Sequence, residues 1–223
     1  MKKISFLLIV LAVIITSCSS SISIVDKPVV YDAEREQYSI DYMNDRYGLN
    51  KDTATIDPKM IVLHWTSIPT LQKSFEAFNP AKLPNWRPDI KSAGPLNVAA
   101  QFLVDRDGTI YRLMPEDKMA RHVIGLNHIA IGVENVGGTV ETPLTDEQLK
   151  ANVKLVKYLK GKFPEIEYLI GHLEYTNFEE HELWLEKDPK YRTTKIDPGE
   201  SFINNARKKT SKYKWKPVPK KNN

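Results

Sequence analysis

Several short apolar stretches, each ending in polar residues or glycine, constrain what this chain can fold into. "KMIVLHWTS" (59–67), "HIAIGVENVGG" (128–138) and "EYLIGH" (167–172) read as buried strands, because they are too short for free-standing helices. In the second of these, glycine marks where backbones approach closely. "VAAQFLVDRDGTIYRLM" (98–114) is apolar, turns at Asp107-Gly108 and becomes β-prone again, the pattern of a hairpin. "LTDEQLKANVKLVKYLKGKFP" (144–164) is the clearest helix. Thr145 and Gln148 have capping-box spacing, and Leu149, Val153, Val156 and Leu159 recur at three and four residues. Gly161 and Pro164 are expected to stop it. "TLQKSFEAF" (70–78) carries a second helical pattern in Leu71, Phe75 and Phe78. This order of elements predicts an α/β fold, a central mixed β-sheet flanked by α-helices.

The first 17 residues stand apart from that fold. Lys2 and Lys3 precede an apolar run from Ile4 to Ile15, short for a membrane span and typical of a signal peptide. The run ends in "ITSC", and Cys18 is the only cysteine of the 223 residues, so no internal disulfide can form. Small residues before such a cysteine resemble a bacterial lipobox, which implies cleavage before Cys18 and its lipidation; the alternative is an ordinary signal peptide or a short N-terminal anchor with a buried Cys18. The expectation is an exported, membrane-anchored lipoprotein at the periplasmic face. Ser19 after Cys18 points to the outer membrane if the cell is Gram-negative. Residues 18–36 then read as a tether, 37–203 as the catalytic domain and 204–223 as a basic tail. Of the net charge of +4, two charges leave with Lys2 and Lys3 and eight sit in that tail, so residues 18–203 carry −6. The tail suits either an anionic surface or a solvated, disordered end. No nucleic-acid partner is expected, and the sequence does not fix the oligomeric state.

His64 and His172 both end apolar runs. A histidine at a strand end fits a metal ligand, though taken alone it is more often a satisfied, partly buried histidine. Their 107 intervening residues match no local metal motif. Asp197, in "KIDPG", would complete a set of two nitrogens and one oxygen, leaving a fourth position for water as in catalytic zinc sites.

Five segments in order, "IVLHWTS", "NVAAQFLVDRDGTIYRL", "HIAIGVENVGG", "YLIGH" and "KIDPG", resemble the type-2 family of zinc-dependent N-acetylmuramoyl-L-alanine amidases, relatives of the peptidoglycan recognition proteins. The resemblance runs from about residue 60 to 203. It implies that fold, Zn²⁺ as cofactor, and peptidoglycan or muropeptide as substrate, cut between N-acetylmuramic acid and L-alanine. It also implies roles. His64, His172 and Asp197 would hold the metal, Glu134 would act as general base, and Lys195 would stabilise the oxyanion. His122 and Trp65 would lie along the substrate. Two departures stand out. Gln101 replaces a histidine common in the family, and 24 residues separate His172 from Asp197, more than in compact members. That insertion, with Tyr175, Phe178, Trp184 and Tyr191, fits a cleft cover or a packed structural element. A non-catalytic peptidoglycan receptor and an amidase acting on another stem-peptide bond fit the same residues.

Overall fold

Six strands join one sheet in a computed structural model that describes residues 22–85 and 87–220. The elements are β1 (Val25–Asp26), α1 (Ala33–Tyr47), β2 (Met60–Leu63), α2 (Leu71–Phe78), β3 (Phe102–Val104), β4 (Ile110–Arg112), β5 (Ala130–Asn135), α3 (Asp146–Lys162), β6 (Tyr168–Gly171) and α4 (Glu200–Lys209). The strand order is β1-β4-β3-β5-β2-β6. Only the β3–β4 hairpin is antiparallel, so the sheet is mixed, as the sequence predicts.

Every residue of β2, β5 and β6 is buried. Parallel strands covered on both faces need apolar residues at nearly every position, which is why they read as unbroken runs. Alternate residues still point to opposite faces. Ile61, Leu63, Ile131, Val133 and Leu169 pack against Leu155, Val156 and Leu159 of α3 and Ile203 and Ala206 of α4. Met60, Val62, Ala130 and Ile170 face the other way, into a cluster with Tyr42, Tyr47, Tyr175, Phe178 and Tyr191. A fully buried aliphatic side chain of this kind contributes about 1.5–3 kcal/mol.

The capping box of α3 forms as expected: Thr145 Oγ1 accepts from Gln148 N at 3.1 Å, and Gln148 Oε1 accepts from Thr145 N at 2.9 Å. The Gln148 amide also donates to the carbonyls of Val104 and Val136, fastening the helix start to the sheet. Gly161 does not stop the helix, which runs through it to Lys162. Only Pro164, unable to donate a backbone hydrogen bond, enforces the end. In the hairpin, Gly108 has φ +86°, and a Cβ there would lie 2.9 Å from the Glu147 carbonyl oxygen.

Two expected boundaries are corrected. Residues 22–36 are not a tether: Ile22 and Ile24 pack on the α3–α4 cluster, β1 pairs with β4, and Val29 is buried. Asp32 caps α1, and the buried Arg35 donates to the carbonyls of Phe78, Asn79 and Pro80. Nor do residues 204–218 of the expected tail stand apart from the domain. Helix α4 passes through the expected boundary, Trp215 Nε1 donates to the buried Thr210 hydroxyl, and Lys216 N donates to the Glu167 carbonyl. The folded domain therefore starts by residue 22 and extends at least to Val218, which packs against the core. Residues 1–21, with Cys18, lie outside the described residues. Among those described, no helix is long and apolar enough to cross a membrane.

Candidate metal centre and active site

Strand register builds the site. Leu63 of β2 pairs with Val133 of β5 on one side and Gly171 of β6 on the other. The next residue of each strand is His64, Glu134 and His172. Three site residues thus stand level at the carboxyl ends of three adjacent parallel strands, where open α/β sheets bind ligands. By the alternation of each strand, all three belong to the face opposite α3 and α4. The backbone fixes this level: His64 N donates to Val133 O, and Asn135 N and Nδ2 both donate to His64 O.

Asp197 arrives from the turn before α4, next to a cis peptide bond to Pro198. Leu173 N donates to its carbonyl at 2.8 Å, docking the turn beside His172. Trp65, half-buried, leans on the same turn. A Cβ on Gly138 would fall 2.2 Å from its ring, and one on Gly199 3.5 Å from it.

The outcome is a buried triangle of donor atoms. His64 Nδ1 lies 2.9 Å from His172 Nδ1 and 3.2 Å from Asp197 Oδ2, and His172 Nδ1 lies 3.0 Å from the same oxygen. Tetrahedral zinc, with ligands at about 2.0–2.1 Å, sets its donors about 3.3 Å apart, so this triangle fits such an ion with little movement. Burial opposes ionisation of Asp197, yet the imidazoles of His172 and His64 hold its carboxyl well below the usual range. Burial, then the neighbouring His64, brings His172 down to about 4, leaving its imidazole neutral and able to ligate at neutral pH.

Around the triangle opens a cleft of about 330 Å³, lined by Trp65, His122, Glu134, Tyr191, Thr193 and Lys195, among others. Glu134 is only 9% exposed, and its Oε2 has no hydrogen-bond partner among the described residues. Burial pushes its carboxyl up to about 7, which suits a group that must take and return a proton near neutrality. His122 is buried, with Nδ1 3.0 Å from His64 Nε2 and Nε2 3.2 Å from the Ala130 carbonyl oxygen. Burial and then His64 hold it well below its ordinary value. Gln101 lies away from the donor triangle: it accepts from Gly132 N and donates to Lys118 O, clamping β5 to a neighbouring loop.

Residues 54–200 match the N-acetylmuramoyl-L-alanine amidase family. The chain belongs to this family. Similar proteins include a phage K11 endolysin, 31% identical over 87 residues (37% of this chain, 58% of the relative). The 1,6-anhydro-N-acetylmuramyl-L-alanine amidase AmpD of Enterobacter cloacae is 32% identical over 98 residues (40% and 52%). Mouse peptidoglycan recognition protein 3 is 32% identical over 83 residues (36% and 24%). The chain therefore spans less than two thirds of each of these curated relatives. Two solved structures share the fold. They are the Clostridium intestinale amidase LysC, with TM-score 0.52 and 22% identity over 88% of this chain and 100% of that one, and bumblebee PGRP-SA, with TM-score 0.53 and 18% identity over 89% and 100%.

The family span contains His64, His122, Glu134, His172, Lys195 and Asp197, while α1 and most of α4 lie outside it. The insertion between His172 and Asp197 is a packed element whose end reaches the cleft: Tyr175 and Phe178 join the core, and Tyr191 and Thr193 line the opening. One cleft residue that sequence reasoning missed holds this wall in place. Arg121 donates to the Tyr191 hydroxyl at 2.9 Å and to the carbonyls of Ile90, Gly94 and Leu96, joining the insertion to the loop before β3. Its place beside His122 was the only signal in the sequence.

Proposed function

We propose that this protein hydrolyses the amide bond between N-acetylmuramic acid and L-alanine in peptidoglycan or its muropeptide fragments, using zinc held by His64, His172 and Asp197. The observation that carries this reading is the buried His-His-Asp triangle opening into the cleft that also contains Glu134 and Lys195. Bound zinc supplies Lewis acidity, bringing the pKa of water from about 15.7 towards 7 and polarising the scissile carbonyl.

The side chains supply the rest. Glu134, with a free carboxylate oxygen and a raised pKa, accepts the proton of the attacking water and returns it to the departing L-alanine nitrogen. Lys195, half-buried at the cleft edge, provides a positive charge for the oxyanion of the tetrahedral intermediate. Trp65 and the wall held by Arg121 narrow the opening and exclude water from the reacting groups.

The test is digestion of defined muropeptides, with and without chelator, and identification of products by mass. Release of intact stem peptides that stops on chelation and returns with zinc is expected. Bound zinc without cleavage would instead mark a binding protein, and a cut elsewhere in the stem would change the substrate.

The proposal extends to location, on the strength of the n-region, the apolar run and "ITSC". The protein is exported and anchored through lipidated Cys18. Three residues separate Cys18 from the packed Ile22. At about 3.5 Å per residue, the domain then sits within about 14 Å of its anchor. Mass spectrometry of the mature N-terminus tests this: an unmodified Cys18, or a terminus elsewhere, would refute it.

A further inference from the structure

His64 is held from behind as well as from the front. Its Nδ1 belongs to the donor triangle, while Nε2 lies 3.0 Å from His122 Nδ1. His122 Nε2 in turn lies 3.2 Å from the Ala130 carbonyl oxygen. A backbone carbonyl only accepts, so Nε2 of His122 carries a proton and donates it there. In a neutral His122 that leaves Nδ1 with a lone pair, which accepts a proton from His64 Nε2. The chain of bonds thus ends by placing the lone pair of His64 on Nδ1, towards His172 and Asp197.

The backbone is shaped to hold His122 in that pose. Its amide N and that of Val123 both donate to Asn127 Oδ1, at 2.9 and 2.7 Å. Its ring lies over Gly132 of β5: a Cβ at that position would fall 2.8 Å from His122 Cγ and 2.9 Å from Cδ2. Gly132 has no positive φ, so space for the imidazole is the reason for glycine there. Gln101 accepts the Gly132 amide proton at 2.7 Å and fixes that stretch of strand.

We propose that His122 is a positioning residue for the metal centre: by accepting the proton of His64 Nε2 it locks the tautomer and ring angle that present Nδ1 to the metal. This differs from the substrate contact expected of His122 from sequence. It rests on the metal reading above. Metal-ligating histidines that lose the partner of their second nitrogen typically lose about 10- to 100-fold in metal affinity.

Zinc affinity of the protein, measured by competition with a chromophoric chelator, tests this without recourse to turnover. H122L fills much of the space but cannot accept a proton, and it should bind zinc about 10- to 100-fold more weakly. In H122N the side-chain oxygen stands near the position of the lost Nδ1, so affinity should recover most of that loss. G132A retains the imidazole but drives a methyl group into its ring, and should weaken zinc binding as H122L does. The melting temperature of each metal-free variant reports folding separately. Unchanged affinity in H122L, or equal losses in H122L and H122N at equal melting temperature, would overturn the inference alone. Absence of zinc binding in the unaltered protein would overturn both the inference and the metal reading.

Discussion

The two faces of the sheet use alternate residues of the same strands for opposite purposes. Towards α3 and α4 the strands present Ile61, Leu63, Ile131, Val133 and Leu169, and the helices answer with aliphatic side chains. Towards the cleft, Met60, Val62, Ala130 and Ile170 give way further along the same strand lines to His64, Glu134 and His172. The cover there is irregular chain and α1, rich in tyrosine and pinned by the buried Arg35 and Arg121. The helix-covered face is stabilised mainly by aliphatic burial, with a few hydrogen bonds at its edges such as those of Gln148 and Arg207. The other must satisfy polar groups by individual hydrogen bonds, and among the described residues it leaves Glu134 Oε2 and Thr193 Oγ1 without partners. A chemical site requires such groups, and the aliphatic face supplies the stability that tolerates them.

If that division holds, substitutions on the two faces should fail in different ways. Glu134→Gln should show the largest catalytic loss, about 10²- to 10⁴-fold in kcat, with zinc retained. It should also change stability with pH. The Glu134 carboxyl rises from 4.5 to about 7 in the fold, so its stabilising effect is full below the unfolded value and lost as pH rises through the folded one. In the metal-free protein, Glu134→Gln, neutral at every pH, should therefore be more stable than the parent by a few kcal/mol at about pH 8 and equal to it near about pH 4. Thermal melts at both pH values decide this, and an equal gap at both would remove burial of the carboxylate from the account.

Lys195→Ala should lower kcat by about 10²- to 10³-fold, with little change in melting temperature, because it deletes an oxyanion donor at a half-exposed position. On the opposite face, Leu155→Ala should cost about 2–5 kcal/mol in denaturant unfolding while each folded molecule keeps its turnover. The smallest effect belongs to Thr145→Ala. Loss of the α3 cap should cost about 1 kcal/mol with no effect on cleavage, readable in the same unfolding curves.

Sequence revealed the aliphatic face more readily than the other. The runs of β2, β5 and β6 and the α3 capping box are local signals, set by residues a few positions apart. Helix α1 is not legible in the sequence because its buried positions are Arg35, Ser39, Tyr42, Met43 and Tyr47, which make no aliphatic stripe. At the site, residue types were legible and their convergence was not. His64 and His172 meet because Leu63 pairs with Gly171, and register of that kind is decided by the whole sheet. Asp197 enters through a turn docked by the backbone bond from Leu173 and by packing against Trp65 and Gly171, all contacts distant in sequence or invisible in it. The partner of His122 was likewise invisible, since nothing in "ARHVIGLNH" indicates that its ring lies over Gly132, where no side chain intervenes.

Zinc content per chain, measured on Asp197→Ala and Glu134→Gln beside the unaltered protein, tests the central claim most directly. The account predicts one zinc in the unaltered protein and in Glu134→Gln, and none retained by Asp197→Ala after dialysis. Cleavage-competent, zinc-free protein, or zinc lost equally from both variants, would contradict it.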